Sequence, residues 1–331
     1  MRSLLAALAC ALPLVAAEPL LFDTDPGYFN DDCQALVMLL RSPAAATVEA
    51  VTVVAGNVWT AEGMENAART LRAAGTPRVR VFAGAQAPLL HTQAMAEIEA
   101  ARWGPLEFRG AFAGPFRAAT AAPDAVARII ESIEGHPGRI TFLALGPMTN
   151  LAMALRLRPE IAGKIGQLVF MGGNVRVADN ASRAAEFNFW FDPEAAAAVL
   201  RSAIPRKVMF GLDICNQAKL TRREFEQVVA VKTPVTELYR EELGNRYPGF
   251  LKHPDATAFL WDALTAAWLA DPSTVTASES MYLDVETRFG GRYGATIPLD
   301  RRLAPAATPV QVMTRLDFPK TFALYRSLLT R

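Results

Sequence analysis

Cysteine and histidine are scarce in this chain, with three of each in 331 residues. Three cysteines cannot build a disulfide scaffold. Charge of one sign is also missing: 34 Lys and Arg stand against 33 Asp and Glu, for a formal net charge of +1. Nucleic-acid binders usually carry a basic excess, so no nucleic-acid partner is expected. Apolar residues are not lacking. At 51% they exclude a disordered chain and suffice for one large core or two ordinary ones. Long hydrophobic runs are confined to the start and are too short to span a bilayer.

That start has its own character. Met1-Arg2 is basic, Leu4 to Val15 is almost wholly apolar, and Ala17 follows Val15 at a small-x-small spacing before Glu18-Pro19. The pattern predicts a signal peptide over 1–17, cleaved after Ala17. A lipid anchor on Cys10 is the weaker alternative, because Ala7-Leu8-Ala9 matches poorly before that cysteine. The expected mature chain, 18–331, is exported (periplasmic or secreted), has no membrane association and keeps only Cys33 and Cys215. Neither cysteine has a histidine beside it, and both read as small core residues.

The remainder alternates between strand-like and helix-like stretches. Leu20–Phe22, Val48–Val54, Val79–Phe82, Ile140–Leu145, Leu168–Met171 and Val208–Phe210 read as strands. Cys33–Leu40, Ala61–Ala74, Ala125–Ile133, Asn150–Leu157 and Pro193–Leu200 read as helices between them. Such alternation predicts an α/β fold: a mostly parallel, Rossmann-like central sheet with helices on both faces. Thr221 to Leu269 reads as mainly helical, and Tyr282–Val285 and Val310–Thr314 as late strands. Ala111 to Pro123 reads as a long loop, not a linker, so one domain is expected.

The chemistry concentrates in Asp23-Thr24-Asp25-Pro26-Gly27-Tyr28-Phe29-Asn30-Asp31-Asp32. Four carboxylates lie where the first strand ends and a helix begins, which is where parallel sheets bind ligands. Like charges this close need protons or a cation, and hard oxygen donors suit Ca²⁺ or Mg²⁺. Helix capping by Asp31 accounts for one or two of these acids, not for Asp23 and Asp25.

Asp23-Thr24-Asp25-Pro26-Gly27 with Asp31-Asp32 resembles the opening signature of the inosine–uridine-preferring nucleoside hydrolases. Further blocks follow in family order: Val53 to Val58, Phe82 to Ala85 with Pro88-Leu89, and Ala144-Leu145-Gly146-Pro147-Met148-Thr149-Asn150-Leu151-Ala152. Then come Met171-Gly172-Gly173, Asn180, Ala185-Glu186-Phe187-Asn188, Asp192 to Ala196, and Trp261-Asp262-Ala263-Leu264. The resemblance implies hydrolysis of the N-glycosidic bond of small-molecule nucleosides, the family fold, bound Ca²⁺ and a homodimer or homotetramer. It implies Asp25, Asp32 and Asp262 as metal ligands, Asp32 with both oxygens. A strand-end carbonyl completes the set, placed on Leu145, with Thr149 as the alternative. Asp25 is implied to take the proton of the attacking water. Asp31, Asn180, Glu186 and Asn188 are implied to hold the ribose, and Asn57 to face sugar or base.

The departures are specific. Tyr28-Phe29-Asn30 separate Gly27 from the acidic pair, as in a longer form of the motif that has Asn and Asp where Tyr28 and Phe29 stand. Pyrimidine-cleaving members often carry His before the late metal-binding Asp; here that place is Trp261. A stacking indole there implies a preference for purines, and Trp103 is a candidate second ring. His91, His136 and His253 sit in loop-like contexts, and only His253 is close enough in sequence to approach Asp262. Two other classes compete. A phosphatase of the haloacid-dehalogenase type also opens on Asp-x-Asp, but its later Lys and second acidic pair are not found. A non-catalytic exported nucleoside-binding protein has no need of Asp25, Asp32 and Asp262 together.

Overall fold

The computed structural model describes residues 18–42, 47–122, 124–246, 248–253, 255–303 and 307–331. The expected leader over 1–17 and Pro123, the end of the expected loop, lie outside the described residues.

The strands are β1 (Pro19–Thr24), β2 (Thr47–Val53), β3 (Val81–Ala83), β4 (Thr141–Ala144), β5 (Gln167–Met171), β6 (Lys207–Phe210), β7 (Lys219–Thr221), β8 (Thr257–Phe259), β9 (Val275–Val285), β10 (Thr296–Leu299) and β11 (Val310–Leu316). The helices are α1 (Asp31–Leu40), α2 (Thr60–Ala73), α3 (Gln93–Trp103), α4 (Ala125–Gly135), α5 (Thr149–Leu157), α6 (Phe187–Phe191), α7 (Pro193–Arg201), α8 (Leu212–Cys215), α9 (Arg222–Val229), α10 (Pro234–Arg246), α11 (Pro248–Lys252), α12 (Trp261–Ala270) and α13 (Phe318–Leu329).

Nine strands form one sheet in the order β10-β9-β11-β6-β5-β4-β1-β2-β3. From β11 to β3 neighbours run parallel, while β9 is antiparallel to both β10 and β11. The expected mostly parallel α/β sheet is present, with this antiparallel edge added. Buried strands alternate their faces. Leu20, Phe22, Leu143, Val169 and Val208 enter one core with α1 and α12, whereas Leu21, Phe142, Ala144, Leu168 and Phe170 enter a second with α4, α5 and α7. Both faces are therefore covered, which is why the strands read as continuous apolar runs.

The order of the strands positions the site. After β1 the chain moves outward to β2 and β3, then returns to β4 on the other side of β1. The connections before and after that return leave in opposite directions, opening a crevice at the carboxyl ends of β1 and β4. Asp23 pairs with Ala144 at the last rung between them. A third, largely aromatic cluster of Trp59, Phe112, Phe187, Trp190 and Phe191 closes one side of this crevice. β7 and β8 form a separate antiparallel pair, β7 ending where the segment read as helical begins and β8 lying within it.

Candidate active site

β1 ends at Thr24, Asp25 follows it directly and α1 starts at Asp31, so the loop between them returns its acids to the strand end. Asn30 occupies the N-cap position of α1, which corrects the capping expected of Asp31. The Asn30 amide instead donates to Asp32 Oδ2 at 2.7 Å. Asp32 Oδ1 accepts from the Thr24 hydroxyl and from the Asp25 backbone N–H at 3.2 Å. Asp262, in the first turn of α12, presents its backbone N–H to Asp31 Oδ2 at 3.2 Å.

Asp31, Asp32 and Asp262 each offer an oxygen such that all three lie within 4.8 Å of one another. Burial raises the pKa of each, to about 7 for Asp31 and well above the usual range for Asp262, and neighbouring carboxylates add to the shift of Asp31 and Asp262. Asp25 is also raised, by burial first and then by the charge of Asp32. Its Oδ2 accepts the Asn57 N–H at 2.7 Å, while Oδ1 has no donor among the described residues. Backbone presses on this carboxylate from both sides. A Cβ at Gly56 would lie 1.9 Å from Asp25 Oδ2, and one at Gly146 2.8 Å from Oδ1. Both positions admit only glycine.

Asp31 and Asp262 line a cavity of about 440 Å³, while Asp25 and Asp32 are not among its lining residues. Among the described residues lining it there is no Lys, Arg or His. Clustered buried carboxylates, an orphaned oxygen, an all-oxygen donor set and no basic neighbour together fit a hard divalent cation.

The opposite wall comes from Asn180 and α6. Glu186 caps that short helix, accepting Asn188 N–H at 2.8 Å and Phe189 N–H at 3.1 Å, and also takes the Gly173 N–H at 2.8 Å. Burial raises its pKa against the pull of those backbone donors. Asn180 Oδ1 accepts the Phe187 N–H at 2.9 Å. Asn188 Nδ2 donates to the carbonyls of Leu145 at 2.8 Å and Met171 at 3.0 Å, tying the ends of β4 and β5. The Leu145 carbonyl, placed at the end of its strand, thus has one lone pair engaged by the Asn188 amide. The alternative, Thr149, sends its hydroxyl to Asp192 at 2.7 Å.

Asn57 lines the cavity and donates from Nδ2 to Asp32 at 3.3 Å. Trp261 also lines it, one ring face stacked on Phe259 at 5.0 Å and 15°. Trp103 does not. It packs edge-on against Phe289 at 5.5 Å, and the lining ring from that part of the chain is Phe108, which lies 4.7 Å from Phe187. Phe108 had no signal in the sequence. His253 is exposed, outside the lining. Asn150 lies in the first turn of α5. It joins Asp23 at 2.7 Å to the Ala85 N–H at 2.7 Å, locking β1 to the turn after β3. Cys33 and Cys215 are buried and unpaired, as expected of core residues.

An acid-floored crevice at a topological switch point, walled by amides and aromatic rings, defines an enzyme acting on N-glycosyl compounds once the relatives are set beside it. Residues 20–323 match the family described as inosine-uridine preferring nucleoside hydrolase, and the chain belongs to that family. It is 34% identical over 291 residues to a pyrimidine-specific ribonucleoside hydrolase RihA of Salmonella newport, covering 85% of this chain and 88% of the relative. It is 35% identical over 286 residues to the RihA of Citrobacter koseri, with the same coverage. Among solved structures, an inosine-guanosine nucleoside hydrolase superposes with a TM-score of 0.76 at 26% identity, covering 94% of this chain and 98% of the other. A purine-preferring ribonucleoside hydrolase from Gardnerella vaginalis gives 0.73 at 27% identity, covering 95% and 99%. The phosphatase and non-catalytic alternatives are thereby set aside.

Proposed function

We propose that the chain hydrolyses ribonucleosides to free base and ribose at a Ca²⁺ site held by Asp25, Asp32, Asp262 and the second lone pair of the Leu145 carbonyl. The observation that carries this reading is the cluster of Asp31, Asp32 and Asp262, with the buried Asp25 carboxylate close enough to feel the charge of Asp32 and Asp262. A bound divalent cation supplies Lewis-acid activation of water and the positive charge these acids lack. Asp25 takes the proton from the attacking water through Oδ1, the oxygen that has no donor of its own. Asp31 orients the ribose hydroxyls from the floor, and Asn180, Glu186 and Asn188 hold the sugar from the opposite wall. As the glycosidic bond breaks, the sugar gains positive charge, and the carboxylates beneath it lower the energy of that state. Base release from inosine, adenosine, uridine and cytidine, with and without a chelator, tests this; full turnover by metal-free protein overturns it.

The base is assigned to the free face of Trp261. Indole cannot donate a proton to a leaving group at neutral pH, but its face favours a protonated, cationic purine. Purines are therefore the preferred substrates in this reading. A pyrimidine reading is favoured by the naming of the RihA relatives as pyrimidine-specific. The ratio of kcat/KM for inosine to that for uridine decides between them.

Two further features belong to the proposal. Residues 1–17 act as a cleaved leader, so the mature 18–331 domain works outside the cytoplasm, and it assembles as a homodimer or homotetramer. N-terminal sequencing of protein from cell fractions and sedimentation of the product test both.

A further inference from the structure

The wall opposite the acids stands on a helix too short to hold itself. α6 has five residues, and a helix of that length is not stable alone. At its start Glu186 takes the Gly173 N–H, and the Asn188 amide bonds the ends of β4 and β5. Both side chains line the acidic cavity. At its other end the last carbonyls have no partner within the helix. One side chain meets two of them. His91 Nδ1 lies 3.0 Å from the Trp190 oxygen and 3.2 Å from the Phe191 oxygen. Carbonyls only accept, so Nδ1 carries the proton of the ring. The imidazole is buried, met edge-on by the rings of Trp190 at 4.8 Å, Phe112 at 5.1 Å and Tyr293 at 5.1 Å. Nε2 has no hydrogen-bond partner among the described residues. Burial pushes the pKa of His91 down to about 4, so the ring is neutral at pH 7. The same stretch of chain makes two more bonds here. The Leu89 N–H donates to Asp192 Oδ2 at 2.9 Å, and the Trp190 indole N–H donates to Glu99 Oε2 at 2.9 Å. Leu89, His91 and Glu99 are not among the residues that line the cavity, so this segment acts on the site at one remove.

We propose that His91 is a positioning residue for the sugar: by holding the last carbonyls of α6, it fixes how Glu186 and Asn188 meet the ribose. This rests on the nucleoside-hydrolase reading above, in which those two side chains hold the sugar. α6 is pinned at its start by Gly173, Leu145 and Met171, and at its end by His91. Without the Nδ1–H donor the end is released and the helix pivots about its start, carrying Glu186 and Asn188 with it. A misplacement of about 1 Å costs up to about 10²-fold in rate.

Three variants test this. The amide of Asn places a donor where His has Nδ1–H, whereas the amide of Gln reaches the position of Nε2, and Leu has no donor. On the nucleoside that the wild type cleaves best, His91→Leu and His91→Gln lower kcat/KM at least about tenfold, and His91→Asn stays within about threefold of the wild type. Equal losses in the Asn and Gln variants overturn the proposal. Where His91→Leu does not fold, His91→Gln carries the comparison. Combination with Asn188→Ala separates positioning from general support of the fold. A residue that acts through the sugar wall costs less in the Asn188→Ala background than alone, whereas independent losses multiply. Fully multiplicative losses overturn the proposal. Failure of the hydrolase reading shows separately, as no base release by the wild type from inosine, adenosine, uridine or cytidine. In that event hydrogen exchange over 187–191 still reads the hold on α6: it quickens in His91→Gln and returns to the wild-type rate in His91→Asn. Unchanged exchange in His91→Gln overturns the proposal.

Discussion

The two ends of the central sheet handle charge in opposite ways. At the amino end, Glu49 of β2 is met by Arg128, by the Ser132 hydroxyl at 2.8 Å and by His136 at 3.2 Å. Lys207, the first residue of β6, is buried with its pKa pushed down to about 8. Its ammonium donates to the carbonyls of Leu200 and Ser202 and to Thr308 at 2.7–2.8 Å. At the carboxyl end, Asp31, Asp32 and Asp262 meet one another with the Asp25 carboxylate nearby, and no basic residue of the described cavity lining answers them. A chain with balanced charge overall thus carries a strong local imbalance at this end of the sheet. The paired end serves stability. The unpaired end holds buried like charges together, at a cost to the fold.

The largest expected effect breaks the carboxyl end. Asp25→Ala keeps the fold, read by circular dichroism, and lowers kcat about 10²–10⁴-fold, the range for loss of a general base. Retention of more than about a tenth of the wild-type rate is incompatible with the proposed role.

Next comes the cation itself. Ca²⁺ at about 100 times its Kd raises unfolding stability by ~2.7 kcal/mol, measured by urea titration against chelated protein. The same titration across pH sharpens the comparison. Asp23 and Asp31 have pKa values raised from 3.8 to about 7, so between those limits the folded state binds more protons than the unfolded chain. Stability of the chelated protein is therefore greatest at the acid side of that window and falls as pH rises through about 7. Ca²⁺ flattens the fall by replacing the protons. A chelated protein that gains stability from pH 5 to pH 8 contradicts the buried-acid account.

A substitution at the other end has the opposite profile. Lys207→Met leaves the carbonyls of Leu200 and Ser202 without a donor and costs about 1–3 kcal/mol of stability, while kcat stays unchanged. The smallest effect concerns the base. Trp261→Ala reduces the inosine-to-uridine ratio of kcat/KM by about tenfold, or ~1.4 kcal/mol. A wild type that cleaves uridine as well as inosine removes the basis for that prediction.

Much of the fold was legible because β1, β4, β5 and β6 are buried on both faces and read as short apolar runs bounded by polar residues. What escaped had weaker signals. β10 contains Pro298, which demotes a strand in any reading of the sequence, and β10 is indeed an edge strand. β7 and β8 are three residues each, too short to show a period. α3 and α13 had readable starts, since Thr92 accepts the Met95 N–H and Asp317 that of Lys320, with Pro319 in the first turn of α13. The acids of the floor were found through their spacing and the family blocks. Phe108 was not, because nothing local distinguishes a ring over a cavity from a ring on a loop.

The sequence alone marked Asp23 to Asp32 as a strand-end acidic segment whose like charges call for protons or a cation, and the family resemblance added Asp262. Their partnership is a matter of tertiary structure. Asp31 and Asp262 are 231 residues apart, and only the α1–α12 packing brings the Asp262 N–H to Asp31. The same folding gave Leu145 its hydrogen bond from Asn188, moved Trp103 onto Phe289 and set Phe108 over the cavity. Residue types and local spacing set what a side chain can do; which groups it meets depends on contacts between distant segments, made only when strand order and helix packing are complete.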